Sequence, residues 1–229
     1  VNSEGKDFSY PGLNIVNLKV GKMDFAKREI AGVSRVTEPY ILLMMDDLFL
    51  MGKVETEAFD EYFNYFKSAN ADSLVFRKFS TYEVTIPVNV REAEVVIPPS
   101  VDMFTSQLAL WKKESFLRYL NEDDGPWETE YFGTMRANLS HLKLICTAEK
   151  VIPSISEGGL HYGKWVQPMI DFLNEENYHE IDFSKRGIYK PVKRTLKERI
   201  KFKVRSYTAN SRRQIFKMVR KARKYYWQR

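Results

Sequence analysis

Residues 40–45, Tyr-Ile-Leu-Leu-Met-Met, are apolar without a break and then stop at two adjacent carboxylates, Asp46-Asp47. A short apolar run with no alternation predicts a central strand buried on both faces of an α/β sheet. The segments that follow agree. Glu55–Asn70 carries Phe59, Tyr62, Phe63 and Phe66 as one apolar stripe, which predicts a helix packed on a core. Leu74–Arg77 then predicts another strand. The result is a β-α-β succession across the acidic pair, and with it the α/β class.

The remaining segments extend the same pattern. Upstream, Asn14–Val20 alternates as a strand does, and Phe25–Val36 has helical spacing with Pro39 at its exit. Downstream, Glu83–Val88 and Glu94–Ile97 predict a short antiparallel excursion closed by Pro98-Pro99. Gln107–Trp111 is strand-like, Lys112–Leu120 and Glu128–Leu139 are helical, and Leu142–Thr147 is a further strand. Glycines 158, 159 and 163 punctuate a loop, and Pro168 suits the first turn of a helix through about Asn174.

Composition limits what this framework can belong to. The chain has 229 residues, 44% of them hydrophobic, with 15 Phe, 13 Tyr and 4 Trp, enough for a sizeable core. The lone Cys146, in an apolar run, reads as a small buried hydrophobe and excludes an intrachain disulfide framework. No signal-like segment and no apolar stretch of about 18 residues is present. A cytoplasmic location is expected on these grounds. The net charge of +6 conceals a division: residues 193–229 carry 15 Lys/Arg against the single acid Glu198, so the remainder is net acidic. The expected domains are residues 1–180, an acidic α/β body, and residues 181–229, a basic helical extension.

The acidic pair is the strongest local sign of chemistry. Ligands of open α/β sheets bind beyond the carboxyl ends of the strands. Two adjacent carboxylates there repel one another, and a hard divalent cation, Mg²⁺ or Mn²⁺, is their natural counter-charge. No glycine-rich phosphate loop, zinc-type Cys/His spacing or nucleophile elbow is present.

The stretch Tyr40–Leu50, YILLMMDDLFL, resembles the strand and acidic motif of GT-A glycosyltransferases. Ser106–Glu114 followed by Pro126-Trp127-Glu128-Thr129-Glu130 is similar to the acceptor side of bacterial capsule-cluster transferases, and the resemblance spans roughly residues 10–170. The pair is Asp-Asp-Leu rather than Asp-X-Asp, which leaves open which carboxylate meets metal. The resemblance implies a GT-A-like, Rossmann-like mixed sheet flanked by helices. It also implies a metal-dependent hexosyltransferase of surface polysaccharide synthesis, with inversion favoured. A nucleotide-sugar donor would meet Asp46, Asp47 and Lys164, with His161 as a third metal ligand. Gln107, Trp111 and Trp127 would bind the saccharide acceptor, although Trp127 suits a core equally well. Glu128 or Glu130 would be the base that takes the acceptor proton, with Asp123 or Asp124 next in line. Acids in a first helical turn also favour the macrodipole without any catalytic role. Only about 45 residues precede Asp46, fewer than the nucleotide-binding half of such a fold needs, so its N-terminal strand is expected to be missing from the chain.

The basic segment supplies two further expectations. From Ser211 onward, Ile215, Met218, Val219, Ala222 and Tyr226 share one helical face, with Tyr225 and Trp227 beside them. Such a helix lies on an anionic membrane, here the inner face of the plasma membrane, where lipid-linked saccharide acceptors reside. The alternative is a non-catalytic nucleic-acid-binding protein whose tail meets phosphates. The acidic body disfavours it.

Overall fold

The computed structural model describes residues 2–3, 5–148, 151–153, 158–178 and 181–190. The basic segment 193–229, and with it the membrane and nucleic-acid expectations, lies outside these residues. The strands are β1 (Asn2–Ser3), β2 (Leu18–Lys19), β3 (Tyr40–Leu43), β4 (Ser73–Val75), β5 (Thr85–Pro87), β6 (Ala93–Val96), β7 (Ala109–Lys112), β8 (Leu144–Thr147), β9 (Leu160–His161) and β10 (Lys164–Trp165). The helices are α1 (Phe25–Val33), α2 (Thr56–Ser68), α3 (Lys113–Tyr119), α4 (Pro126–Leu139) and α5 (Gln167–Glu175). One compact unit runs to Gly159 and a second begins at Leu160.

Six strands of the first unit form one mixed sheet in the order β3-β7-β4-β8-β6-β5. β4 and β8 are parallel. β7 lies antiparallel between β3 and β4, so β3, β4 and β8 all run the same way. β6 and then β5 complete the far side antiparallel. The two-residue period of a strand sorts the side chains into two cores. Val75, Ala109, Trp111, Leu144 and Cys146 face a cluster with Val33 of α1, Phe116 and Tyr119 of α3, and Ala137 of α4. Leu74, Leu110 and Ile145 face the other way, onto Ala58, Tyr62 and Phe66 of α2. The result is a mixed α/β fold with helices on both faces, as expected.

Local chemistry explains the helices. In α2, Ala58, Tyr62 and Phe66 recur every four residues and are all buried. α4 starts with Pro126 in its first turn and is closed by Glu128, whose carboxylate accepts from the Gly125 N–H at 3.0 Å. Further along α4, a Cβ on Gly133 would come within 2.8 Å of the Phe104 ring. Glycine there lets the helix approach the core closely.

Two expectations are corrected. The run from Tyr40 is not a central strand. Among the described residues β3 borders the sheet, pairing only with β7, and Leu42 remains 47% exposed. An apolar run encodes a strand, but the number of its neighbours is decided by strands far away in sequence. The predicted strand over 14–20 shrinks to Leu18–Lys19, paired with β1 outside the main sheet. Cys146 is fully buried as expected, and burial pushes its thiol up to about 12, too high for a reactive thiolate.

In the second unit, β9 and β10 form a hairpin whose two-residue loop has Tyr162 and Gly163 at φ 49° and 72°, the conformation of a type I′ turn. Trp165 bridges to the 187–189 segment, accepting from Tyr189 N–H at 2.7 Å. α5 buries Met169, Ile170 and Leu173, with Pro168 in its first turn. No helix among the described residues is long and apolar enough to cross a membrane.

Candidate functional site

Asp46 and Asp47 occupy the middle of a turn just beyond β3, closed by the Leu48 N–H on the Met45 carbonyl at 3.1 Å. Asp46 is exposed and Asp47 half-buried. The chain returns beside this turn at Gly158-Gly159, where the Gly159 N–H donates to the Asp47 carbonyl at 2.7 Å. A Cβ on Gly158 would lie 3.2 Å from the Asp47 carboxylate, and its φ of +75° suits glycine alone. These contacts half-bury Asp47. Burial, and then the charge of Asp46, push its carboxyl above the usual range. A bound cation would relieve both effects. Two hard oxygen donors suit Mg²⁺ or Mn²⁺, whose other ligands are ordinarily waters and substrate phosphates. Among the described residues no three His, Cys, Asp or Glu side chains gather as a metal site.

The sheet register brings other polar groups to the same border. Leu43, at the end of β3, pairs with Ala109 at the start of β7, and Val75 at the end of β4 pairs with Ala109 from the other side. The residues just before β7 therefore lie on the edge where β3 and β4 end. There Glu130 reaches in from α4. Its Oε1 accepts from the Ser106 N–H at 3.0 Å and the Thr105 hydroxyl at 3.3 Å. Those bonds favour the carboxylate, yet burial outweighs them and Asp102 adds to it, so the Glu130 carboxyl is raised. A raised carboxyl is what a base operating near neutral pH requires.

The two glutamates of α4 thus separate. They are two positions apart, roughly 200° around a helix, and so face different surroundings. Glu128 is exposed and closes the helix start, whereas Glu130 is held inside. Asp124 is buried against Arg136 at 2.7 Å, a structural pair, and Asp123 is exposed.

The three expected acceptor residues also diverge. Trp111 is a correction: its ring is fully buried between Phe104 and Phe116, with centroids at 5.0 and 5.4 Å, and has no surface to offer a saccharide. Its inward position follows from the strand period, which places Ala109 and Trp111 on one face. Trp127 is 84% exposed on the first turn of α4, so it is no core residue, and Tyr131 is exposed one turn further on. Gln107 stands at the sheet edge and accepts there from the Arg77 guanidinium at 3.2 Å. In the second unit, His161 stacks edge-on against Tyr162 and Tyr189 at 4.6 and 4.3 Å, and Lys164 is exposed on β10.

Arg77 and Lys78, which carry no sequence expectation, follow β4 as Asp46 and Asp47 follow β3. A charged pair ending a buried run is the same signal in the opposite sign. Lys78 is tied to Glu94 at the start of β6.

No family model matches the chain, and no curated protein does. Among solved structures, S. aureus TarS 1–349 in complex with UDP-GlcNAc is similar at a TM-score of 0.35 and 9% identity, over 76% of this chain. The chain spans about half of that chain, 52%.

Proposed function

We propose that this chain belongs to a glycosyltransferase that moves a sugar from a nucleoside diphosphate to a hydroxyl of a saccharide acceptor. The observation that carries the reading is the shared border of the sheet. Asp46-Asp47 end β3, and the half-buried, raised Glu130 is bonded to residues 105–106 just before β7, on the edge where β3 and β4 finish. A pair of hard donors and a separate carboxylate base are the two functions an inverting sugar transfer needs. The resemblance of residues 40–50 to the acidic motif of GT-A transferases, and of 106–114 and 126–130 to the acceptor side of capsule-cluster transferases, supports the same assignment.

In this reading Asp46 and Asp47 hold Mg²⁺ or Mn²⁺, which would neutralise charge on the leaving diphosphate. Glu130 takes the proton of the acceptor hydroxyl as that oxygen attacks the anomeric carbon. The bonds from Ser106 and Thr105 fix one carboxylate oxygen, so the other is the one aimed at substrate. Trp127 and Tyr131 offer exposed rings on the helix that carries the base, suited to stacking on a sugar. Glu128 caps the helix and takes no part in proton transfer. The acceptor is a surface polysaccharide or its lipid-linked precursor.

A thermal-shift screen of nucleotide sugars with and without Mn²⁺ tests the proposal. Stabilisation by at least one donor only when Mn²⁺ is present, and its loss in Asp46→Asn and Asp47→Asn, is expected. No metal-dependent shift with any donor would overturn it.

A further inference from the structure

Arg77 is the unassigned group on this border that the geometry sets apart. It lies two residues beyond Val75, the last residue of β4, and its side chain is exposed. Two contacts hold the guanidinium: Nη1 donates to Gln107 Oε1 at 3.2 Å, and the group sits 4.3 Å over the face of Phe79. Neither neutralises it. Among the described residues Arg77 forms no ion pair, whereas the adjacent Lys78 is bound to Glu94. A guanidinium has five N–H donors in a planar fork, and only one is used here. A pre-oriented fork with free donors is the group proteins use for bidentate recognition of phosphate.

Its distance from the acidic pair points to the ligand. β3 and β4 are separated by β7 alone, two ladder spacings or about 10 Å. A diphosphate is of the right length to meet a cation on Asp46-Asp47 at one end and Arg77 towards the other. An arginine on the same border as a carboxylate pair repels that cation but attracts the anion the cation carries. We infer that Arg77, oriented by Gln107 and Phe79, is a second anchor for the donor's diphosphate. Gln107 is then a positioning residue for Arg77 rather than an acceptor ligand. The inference rests on reading this border as a nucleotide-sugar site.

Inorganic pyrophosphate is a suitable probe because it carries no base and no sugar. Its binding to the intact chain is measured by calorimetry with and without Mg²⁺, in wild type, Arg77→Gln, Arg77→Lys and Asp46→Asn. Loss of a charged hydrogen-bonding partner predicts that Arg77→Gln weakens pyrophosphate roughly 10–100-fold, both with and without the metal. Arg77→Lys keeps the charge without the fork and should lie between. Asp46→Asn should lose only the gain that Mg²⁺ provides. Unchanged affinity in Arg77→Gln, in a variant that melts like the wild type, overturns the inference and leaves the metal reading standing. Should Arg77→Gln instead prove unstable, an affinity of Arg77→Lys equal to wild type overturns the inference, and an intermediate one supports it. Loss in Arg77→Gln with no Mg²⁺ effect in wild type upholds Arg77 and removes the metal reading. Competition by uridine or guanosine diphosphate assigns the anchor to the donor. Pyrophosphate that still binds beside saturating nucleotide excludes it from the donor site, and wild type that binds no pyrophosphate overturns the anchor altogether.

Discussion

β3 and β8 are written in similar residues and live in different surroundings. Tyr40–Leu43 and Leu144–Cys146 are both short, apolar and free of alternation, and charged residues follow each within a few positions. β8 lies between β4 and β6, and all four of its residues are buried. Among the described residues β3 has β7 on one side only, and Leu42 and Met44 keep 47% and 41% of their surface. The difference separates where the molecule places stability from where the proposed function would place chemistry. β8 fills both cores, through Leu144 and Cys146 on one face and Ile145 on the other. β3 contributes only partly buried residues to either core, and it ends in the acidic turn to which the proposal assigns the cation.

The largest expected effect tests the chemical side of this contrast. Glu130→Gln, which is nearly isosteric, should lower turnover roughly 10²–10⁴-fold with donor binding retained. Burial raises the Glu130 carboxyl, so its ionised form is less favourable folded than unfolded. The wild type is then penalised above the raised value, and the penalty fades as pH falls towards 4.5. At neutral pH the variant should melt no lower than wild type, and any advantage should shrink in acid. Full activity would move the base elsewhere and unmake the site.

The structural side comes next. Ile145→Ala in β8 should cost about 2–5 kcal/mol by chemical denaturation, because it empties a buried position against α2. A loss no larger than that at β3 would break the comparison. A smaller effect concerns the acidic turn. Mn²⁺ should raise the melting temperature of wild type but not of Asp47→Asn, by about 2.7 kcal/mol in stability at a hundredfold excess over its dissociation constant. The stabilisation needs both carboxylates ionised, so it should fade as pH falls through the raised Asp47 value. An Mn²⁺ shift that survives Asp47→Asn would place the cation elsewhere. Leu42→Ala should be the mildest, about 1 kcal/mol or less, since half of that side chain already meets water. A cost equal to that of Ile145→Ala would mean that β3 is buried after all.

Much of this was legible in the order of residues. The stripe of α2, the strands on either side of it, the antiparallel β5–β6 excursion and α4, expected from Glu128 and found from Pro126, follow from periods of 3.6 and 2 and from local turn chemistry, which act over a few residues. Asp46-Asp47 announced itself because two adjacent charges ending an apolar run are costly without a use. The same rule marks Arg77-Lys78, a charged pair that follows the buried run of β4.

What residue order determined, then, was the α/β class, the position of most elements and the acidic turn, since each is a property of neighbours along the chain. Only the tertiary structure decided that β3 borders the sheet, because a strand's neighbours come from residues thirty to seventy positions away. Long-range packing likewise enclosed Trp111 between Phe104 and Phe116 and left Trp127 in water. It also separated Glu128 from Glu130, sending one to its own helix end and the other to Ser106 and Thr105. Burial and the hydrogen bonds from Ser106 and Thr105 shift the proton affinity of that carboxylate, and neither is a property of the sequence near it.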